Sequence, residues 1–172
     1  DGTCKLFGCY QQRPAGENSS APAIPDDIRP EAPDGYVPFP DQGGFPYLCG
    51  PVYYRRQEDG RFINGFHSRL VHDNINGVVH GGVLFTFADD IIGRAASGIS
   101  RRYATTVSMN VEYISAGPLD TWIEGTTEVT HMDDGFAFIR SKIFTNEKLI
   151  LTADGVCRLL GPYFKVKPET MA

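Results

Sequence analysis

No uninterrupted apolar run in the 172 residues approaches the roughly 18 to 20 positions that a membrane-spanning helix needs. The best candidate, from Val83 to Ile92, is broken by Asp89 and Asp90, so a membrane protein is not expected. A basic surplus is missing as well. Sixteen basic and 21 acidic side chains leave a net charge of −5, and the nearest approach to a basic patch is the pair of doublets Arg55-Arg56 and Arg101-Arg102. Proteins that grip a nucleic-acid backbone concentrate positive charge, so nucleic acid is not an expected partner. Cysteine is scarce: Cys4, Cys9, Cys49 and Cys157 are too few and too scattered for a disulfide scaffold. The chain begins at Asp1, which leaves open what lies upstream, and no charged-then-apolar segment opens it. Reduced thiols in a cytoplasm are the expectation.

Several motifs are also absent. The chain has no G-x-x-x-x-G-K-[ST], no G-x-G-x-x-G and no H-E-x-x-H. His80-Gly81-Gly82 has the look of an oxyanion turn, but no G-x-S-x-G supplies a serine nucleophile. His67 and His72 are five apart on an expected strand, which sends them to opposite faces, and no C-x-x-C spacing occurs. Neither a metal site nor a redox cofactor is implied.

What is present reads as one globular domain with an appendage, given 41% apolar and 22% charged residues. Nine of the twelve prolines fall within the first 51 positions, and segment 10–44 shows neither secondary-structure period. Residues 1–44 are expected to be a proline-rich arm, with Phe39, Phe45 and Tyr47 available to pin its end. Residues 45–165 form the expected domain and 166–172 a tail.

Within the domain, short strands alternate with turn chemistry. Pro51 to Arg56 and Arg61 to His72 read as strands joined at Gln57-Glu58-Asp59-Gly60. In Thr105 to Ile114, alternation places Thr105, Val107, Met109, Val111 and Tyr113 on one face and Thr106, Ser108, Asn110 and Glu112 on the other. Thr121 to Met132, Phe136 to Phe144 and Leu149 to Leu160 read as an antiparallel meander. One segment departs from this pattern. From Gly81 to Ser97, Leu84, Phe87, Ala88, Ile91 and Ala95 recur at helical spacing, and Val83, Ile92 and Ala96 widen the stripe. An apolar face that broad must be covered on several sides, which predicts an α+β fold with an antiparallel sheet curling round one helix.

The candidate chemistry lies where that helix begins. Gly81 and Gly82 leave backbone N–H groups approachable at the positive end of the helix, a place for an oxyanion or a polarised carbonyl. Asp89 stands two turns further on, in an otherwise apolar helix, where an ionised carboxylate is costly unless paired or solvated. Asp90 points about 100° away from it. With the Asn74 amide nearby, these groups make a plausible hydrolytic site.

The pattern Asn74-x-x-Gly77-x-x-His80-Gly81-Gly82, then Asp89 nine residues after the histidine, resembles the signature of hotdog-fold acyl-CoA thioesterases. The branch it resembles is the one named for phenylacetic-acid degradation. The likeness runs from about Gly50 to Gly161 and includes the Thr106-Val107-Ser108-Met109-Asn110 stretch. It implies a hotdog fold, with the sheet wrapped round the helix, and hydrolysis of an acyl-CoA thioester to free acid and coenzyme A. It further implies Asp89 as general base or nucleophile, Thr106 orienting water, and the Gly81 N–H polarising the thioester carbonyl. Asn74 and His80 would shape the loop and contact the thioester end. The family builds its site between two chains, so a homodimer or homotetramer is implied. Asp89 and Thr106 of one copy would then face Asn74, His80 and Gly81 of the other.

Each residue also has a plainer reading. Asp89 could simply reach solvent, Asn74 could cap its loop, His80 could bond its own loop, and Gly81 and Gly82 could serve close packing. Thr106 needs no reason beyond being on a strand. Gly82, Phe85, Arg101 and Arg102 are candidate substrate contacts, the arginines for coenzyme A phosphates and Phe85 for the acyl group. A non-catalytic acyl-CoA binding or regulatory module, and a hotdog acyl-CoA dehydratase or lyase, are the alternative functions. The Asp/His hydration motif of the lyases is not found here.

Overall fold

The computed structural model describes residues 32–39, 45, 49–146 and 148–162. Most of the arm (1–31 and 40–44), the tail 166–172, and Cys4, Cys9 and Tyr47 lie outside the described residues. The elements run β1 (Val37–Pro38), β2 (Tyr53–Arg56), β3 (Phe62–His67), α1 (Gly81–Ser100), β4 (Arg102–Tyr113), β5 (Trp122–Met132), β6 (Phe136–Thr145) and β7 (Lys148–Pro162). The strands form one antiparallel sheet in the order β1-β2-β3-β5-β6-β7-β4. This is the expected hotdog: an antiparallel sheet around one long helix. No helix among the described residues is long and apolar enough to cross a membrane.

Helix α1 is about 30 Å long by its residue count and lies against β4, β5, β6 and β7. Its buried row is Leu84, Phe87, Ala88, Ile91, Ile92 and Ala96, as the periodicity predicts. Ile91 and Ile92 are fully enclosed, and each such side chain contributes about 2–3 kcal/mol by leaving water. The close approach depends on Gly125 of β5, where a Cβ would stand 2.7 Å from Ile91 and 3.0 Å from Phe87. The helix runs three residues beyond Ser97 and stops at Arg101, whose backbone turns left-handed (φ 56°) while its N–H donates to the Ser97 carbonyl.

The opposite face of the sheet is covered at one end. Tyr36, Tyr53 and Ile63 form a second apolar cluster joined by Ala32 and Trp122, with the Tyr36 and Trp122 rings edge to face at 4.9 Å. The Tyr36 hydroxyl donates to the Glu124 carboxylate. Burial first, and that carboxylate second, push its phenol well above the ordinary range. The last part of the arm is therefore built into the domain. Phe39 turns to the helix side, where the Arg94 guanidinium stacks 3.8 Å from its ring centre and Tyr54 packs at 4.6 Å. Phe45 is exposed.

Two strand expectations are corrected. The strand expected to reach His72 ends at His67, and Leu70–His72 is one turn of 3-10 helix. Buried Ser68 ends the ladder: its hydroxyl is held between the Pro118 and Thr121 carbonyls and accepts from the Thr121 N–H. Side-chain bonds to backbone compete with strand pairing in this way.

The second correction concerns β4. Its pairing with β7 shifts register between Thr106 and Ser108, a bulge that swaps the faces midway. Val107 is consequently exposed, while Ala104 and Thr106 join Met109 and Val111 on the helix side. Simple alternation had put Thr106 on the opposite face from Met109.

Candidate active site

Residues 73–80 fold back into a tight loop before α1. The Asn74 side-chain oxygen accepts from the Asn76 N–H at 2.9 Å, Asp73 accepts from Gly77 at 3.0 Å, and the Asn74 N–H donates to the Val78 carbonyl at 3.0 Å. Ile75 and Gly77 at the tip both have positive φ, 70° and 76°. That conformation suits glycine and strains a β-branched residue. The loop is tied down by the His80 N–H, which donates to the His72 carbonyl at 2.7 Å.

His72 sits underneath, 2% exposed. Its Nδ1 accepts from the Arg69 N–H at 3.0 Å, and Nε2 has no partner among the described residues. Burial, with smaller contributions from the Arg69 and His67 charges, lowers its pKa from 6.5 to about 4. A histidine held neutral stabilises the fold fully above the unfolded value and loses that contribution as the pH drops toward the folded one. We therefore expect stability to fall between about pH 6.5 and 4, by about 3 kcal/mol from this group. Proton NMR of the imidazole checks it, since a His72 midpoint near its ordinary value would contradict the expectation.

His80 caps the helix. Its Nδ1 accepts from the Gly82 N–H at 2.9 Å, and its carbonyl accepts from Val83 and Leu84. The ring is exposed, and with Nδ1 accepting, Nε2 is left as the donor of the neutral imidazole. Of the four amides with no acceptor inside the helix, those of Gly82 and Val83 go to His80 and that of His80 goes to the His72 carbonyl. The fourth, on Gly81, has no partner among the described residues. A Cβ on Gly81 would come within 3.1 Å of the Tyr113 ring, whose hydroxyl donates to the Gly81 carbonyl at 3.0 Å. Tyr113, the last residue of β4, was absent from the sequence-derived candidates; its one signal in the sequence was a tyrosine closing an alternating strand.

Asp89 lies eight residues along, about 12 Å down the axis. Its carboxylate forms no hydrogen bond or ion pair among the described residues. Asp90 is different, bonding to Arg94 one turn on at 2.7 Å, so the two carboxylates have separate surroundings, as expected. Thr106 meets buried Cys157 of β7, a thiol that also feels the Asp89 charge. Thr106 Oγ1 is 3.8 Å from the sulfur. Burial raises the Cys157 pKa and the Asp89 charge adds to the rise, while the Thr106 contact lowers it. The β4 bulge is what turns Thr106 to this side.

The candidates thus fall into two groups: Asn74, His80, Gly81 and Gly82 at the helix start, and Asp89 with Thr106 farther down. Phe85 is exposed one turn from Gly81. Arg101 and Arg102 stand apart, about 30 Å from the helix start by residue count. Arg101 is exposed. Arg102 donates to the carbonyls of Leu160 at 2.6 Å, Asp134 at 2.6 Å and Leu159 at 3.2 Å, and so clamps α1's exit to β7 and to the β5–β6 turn.

A family model described as the thioesterase superfamily matches residues 76–151, the stretch from the loop through α1 to β7. A Pseudomonas aeruginosa protein named "Putative esterase PA0474" is 27% identical over 130 residues, 74% of this chain and 96% of that one. Among solved structures, a hypothetical thioesterase from Streptococcus pneumoniae with coenzyme A superposes with a TM-score of 0.61 at 22% identity, covering 66% of this chain and 91% of that one. The E. coli PaaI protein from the phenylacetic acid degradation operon gives 0.60 at 17% identity, covering 64% and 80%. The chain has the hotdog fold, and its loop, helix and central strands are those that match the thioesterase superfamily.

Proposed function

We propose that this protein hydrolyses an acyl-CoA thioester to the free acid and coenzyme A, at a site completed by a second copy of the chain. One observation carries the reading. An unpaired carboxylate and an unpartnered helix-start amide share one helix but lie about 12 Å apart along it, too far to act on the same carbonyl carbon. A second copy related by two-fold symmetry brings Gly81 of one helix to Asp89 of the other. The matched superfamily and the solved relative with coenzyme A support the substrate class; the likeness to PaaI supports the phenylacetic-acid branch.

In this reading the thioester carbonyl oxygen accepts from the Gly81 N–H, and His80 Nε2–H and Asn74 border the same end. Across the interface, Asp89 takes a proton from water oriented by Thr106, and the water oxygen attacks the carbonyl carbon. The C–S bond then breaks and coenzyme A leaves as thiolate, to be protonated. Direct attack by Asp89, with hydrolysis of the resulting anhydride, uses the same geometry. Neither route needs a metal or redox cofactor. Phe85 borders the acyl group, exposed Arg101 is left for phosphate, and Arg102 holds the scaffold. A cytoplasmic setting, with acyl-CoA and reduced thiols together, accords with this chemistry.

Free-thiol release from a panel of aromatic, medium-chain and long-chain acyl-CoA thioesters tests the activity. Binding without release would instead favour a non-catalytic module. The shared site has its own test. Asp89→Asn and Gly81→Pro chains, each inactive alone, are unfolded together and refolded as an equal mixture. Mixed dimers carry one intact site, so about a quarter of wild-type activity should return. Recovery of none would place both groups in one chain.

A further inference from the structure

We propose that Tyr113 is a positioning residue for the carbonyl-binding amide, a role that rests on the site described above and adds a residue to it. The helix-facing row of β4 passes both halves of the site. Thr106 contacts Cys157 at one point and Tyr113 covers Gly81 at the other. Gly81 is the first residue of α1 and is followed by another glycine. Two glycines at a helix start carry the greatest backbone freedom available, so nothing in their own chemistry holds the first turn in one orientation.

Two neighbours supply that restraint. His80 fixes one side, through its N–H to the His72 carbonyl and its Nδ1 from the Gly82 N–H. Tyr113 fixes the other. Its hydroxyl donates to the Gly81 carbonyl at 3.0 Å, and its ring lies where a Gly81 side chain would be. The Gly81–Gly82 peptide is thereby held at both ends, its carbonyl by Tyr113 and its N–H by His80 Nδ1, which fixes the orientation of the preceding His80–Gly81 peptide whose N–H is free. A donor stabilises a developing oxyanion only if it is already aimed before reaction. Tyr113 thus acts through Gly81, and its removal should affect turnover more than binding.

The test is Tyr113→Phe, which keeps the ring and deletes only the hydroxyl, assayed with the best thioester of the panel. The expected result is a fall in kcat of about tenfold with KM within about twofold, the pattern of an interaction made in the transition state. Amide hydrogen exchange at Gly82, whose N–H is bonded to His80 Nδ1 in the same peptide, should quicken several-fold in the same variant, which reads the restraint without reference to activity. Tyr113→Ala, lacking the ring too, should lose more kcat than Tyr113→Phe. An unchanged kcat, unchanged Gly82 exchange, or a raised KM at constant kcat would each overturn the role. If the wild-type protein releases no thiol from any thioester, the proposed function falls and this role falls with it. An active wild-type protein matched by Tyr113→Phe removes only the role of Tyr113.

Discussion

Asp89→Asn should lower kcat for thioester hydrolysis by about 10³-fold, the range in which removal of a positioned base is felt. The substitution keeps the shape of the side chain and breaks no hydrogen bond or ion pair among the described residues, so its structural cost should be small. The thermal midpoint is expected to stay within about 2 °C of wild type. Asp90→Asn is the internal control. That change weakens the contact with Arg94, a mostly buried pair whose loss lowers stability, and should leave kcat nearly intact. The contrast between adjacent aspartates separates a general loss of helix charge from loss of the reacting group. Thiol-release kinetics and thermal melts on the two variants check it; an Asp89→Asn enzyme at wild-type rate would remove the carboxylate from the mechanism.

Gly81→Pro should cost about 10² to 10³ in kcat, the usual effect of deleting one oxyanion donor. Proline removes the one amide left without a partner, and the first position of a helix is where it is best tolerated. His80 has φ −58° and ψ 133°, the extended conformation that a following proline requires. The restriction is local: the new Cβ lies 3.1 Å from the Tyr113 ring, which must give by a few tenths of an ångström. Gly81→Ala is the control, with the same Cβ and the amide retained. If Gly81→Ala loses as much kcat as Gly81→Pro, crowding against Tyr113 and not the N–H is responsible.

The fold was largely legible because its signals are periodic. The apolar row through Leu84, Phe87, Ala88 and Ile91 has one physical solution, burial under a sheet, and the Asp133-Asp134-Gly135 turn fixes the β5–β6 hairpin. The two errors came from single-residue events that no period encodes. Ser68 ends a strand with its hydroxyl, and Val107 is expelled by a bulge that depends on β7's register. The candidate site divides in the same way. Gly81, His80 and Asp89 belong to one continuous segment with fixed spacing, and so could be read together. Tyr113 and Cys157 reach them only through strand order, and the caps and clamps of His80 and Arg102 appear only when distant carbonyls are in place.

Trp122 is the chain's single tryptophan, and it lies on the outer face of the sheet against Tyr36 and Tyr53, with its indole N–H toward Glu124. Its emission is therefore a property of the seam where the arm meets the sheet. Denaturation followed by intrinsic fluorescence registers release of that seam, whereas far-ultraviolet dichroism is weighted toward α1. Any gap between the two curves measures how tightly the attachment of residues 32–38 is coupled to the helix core.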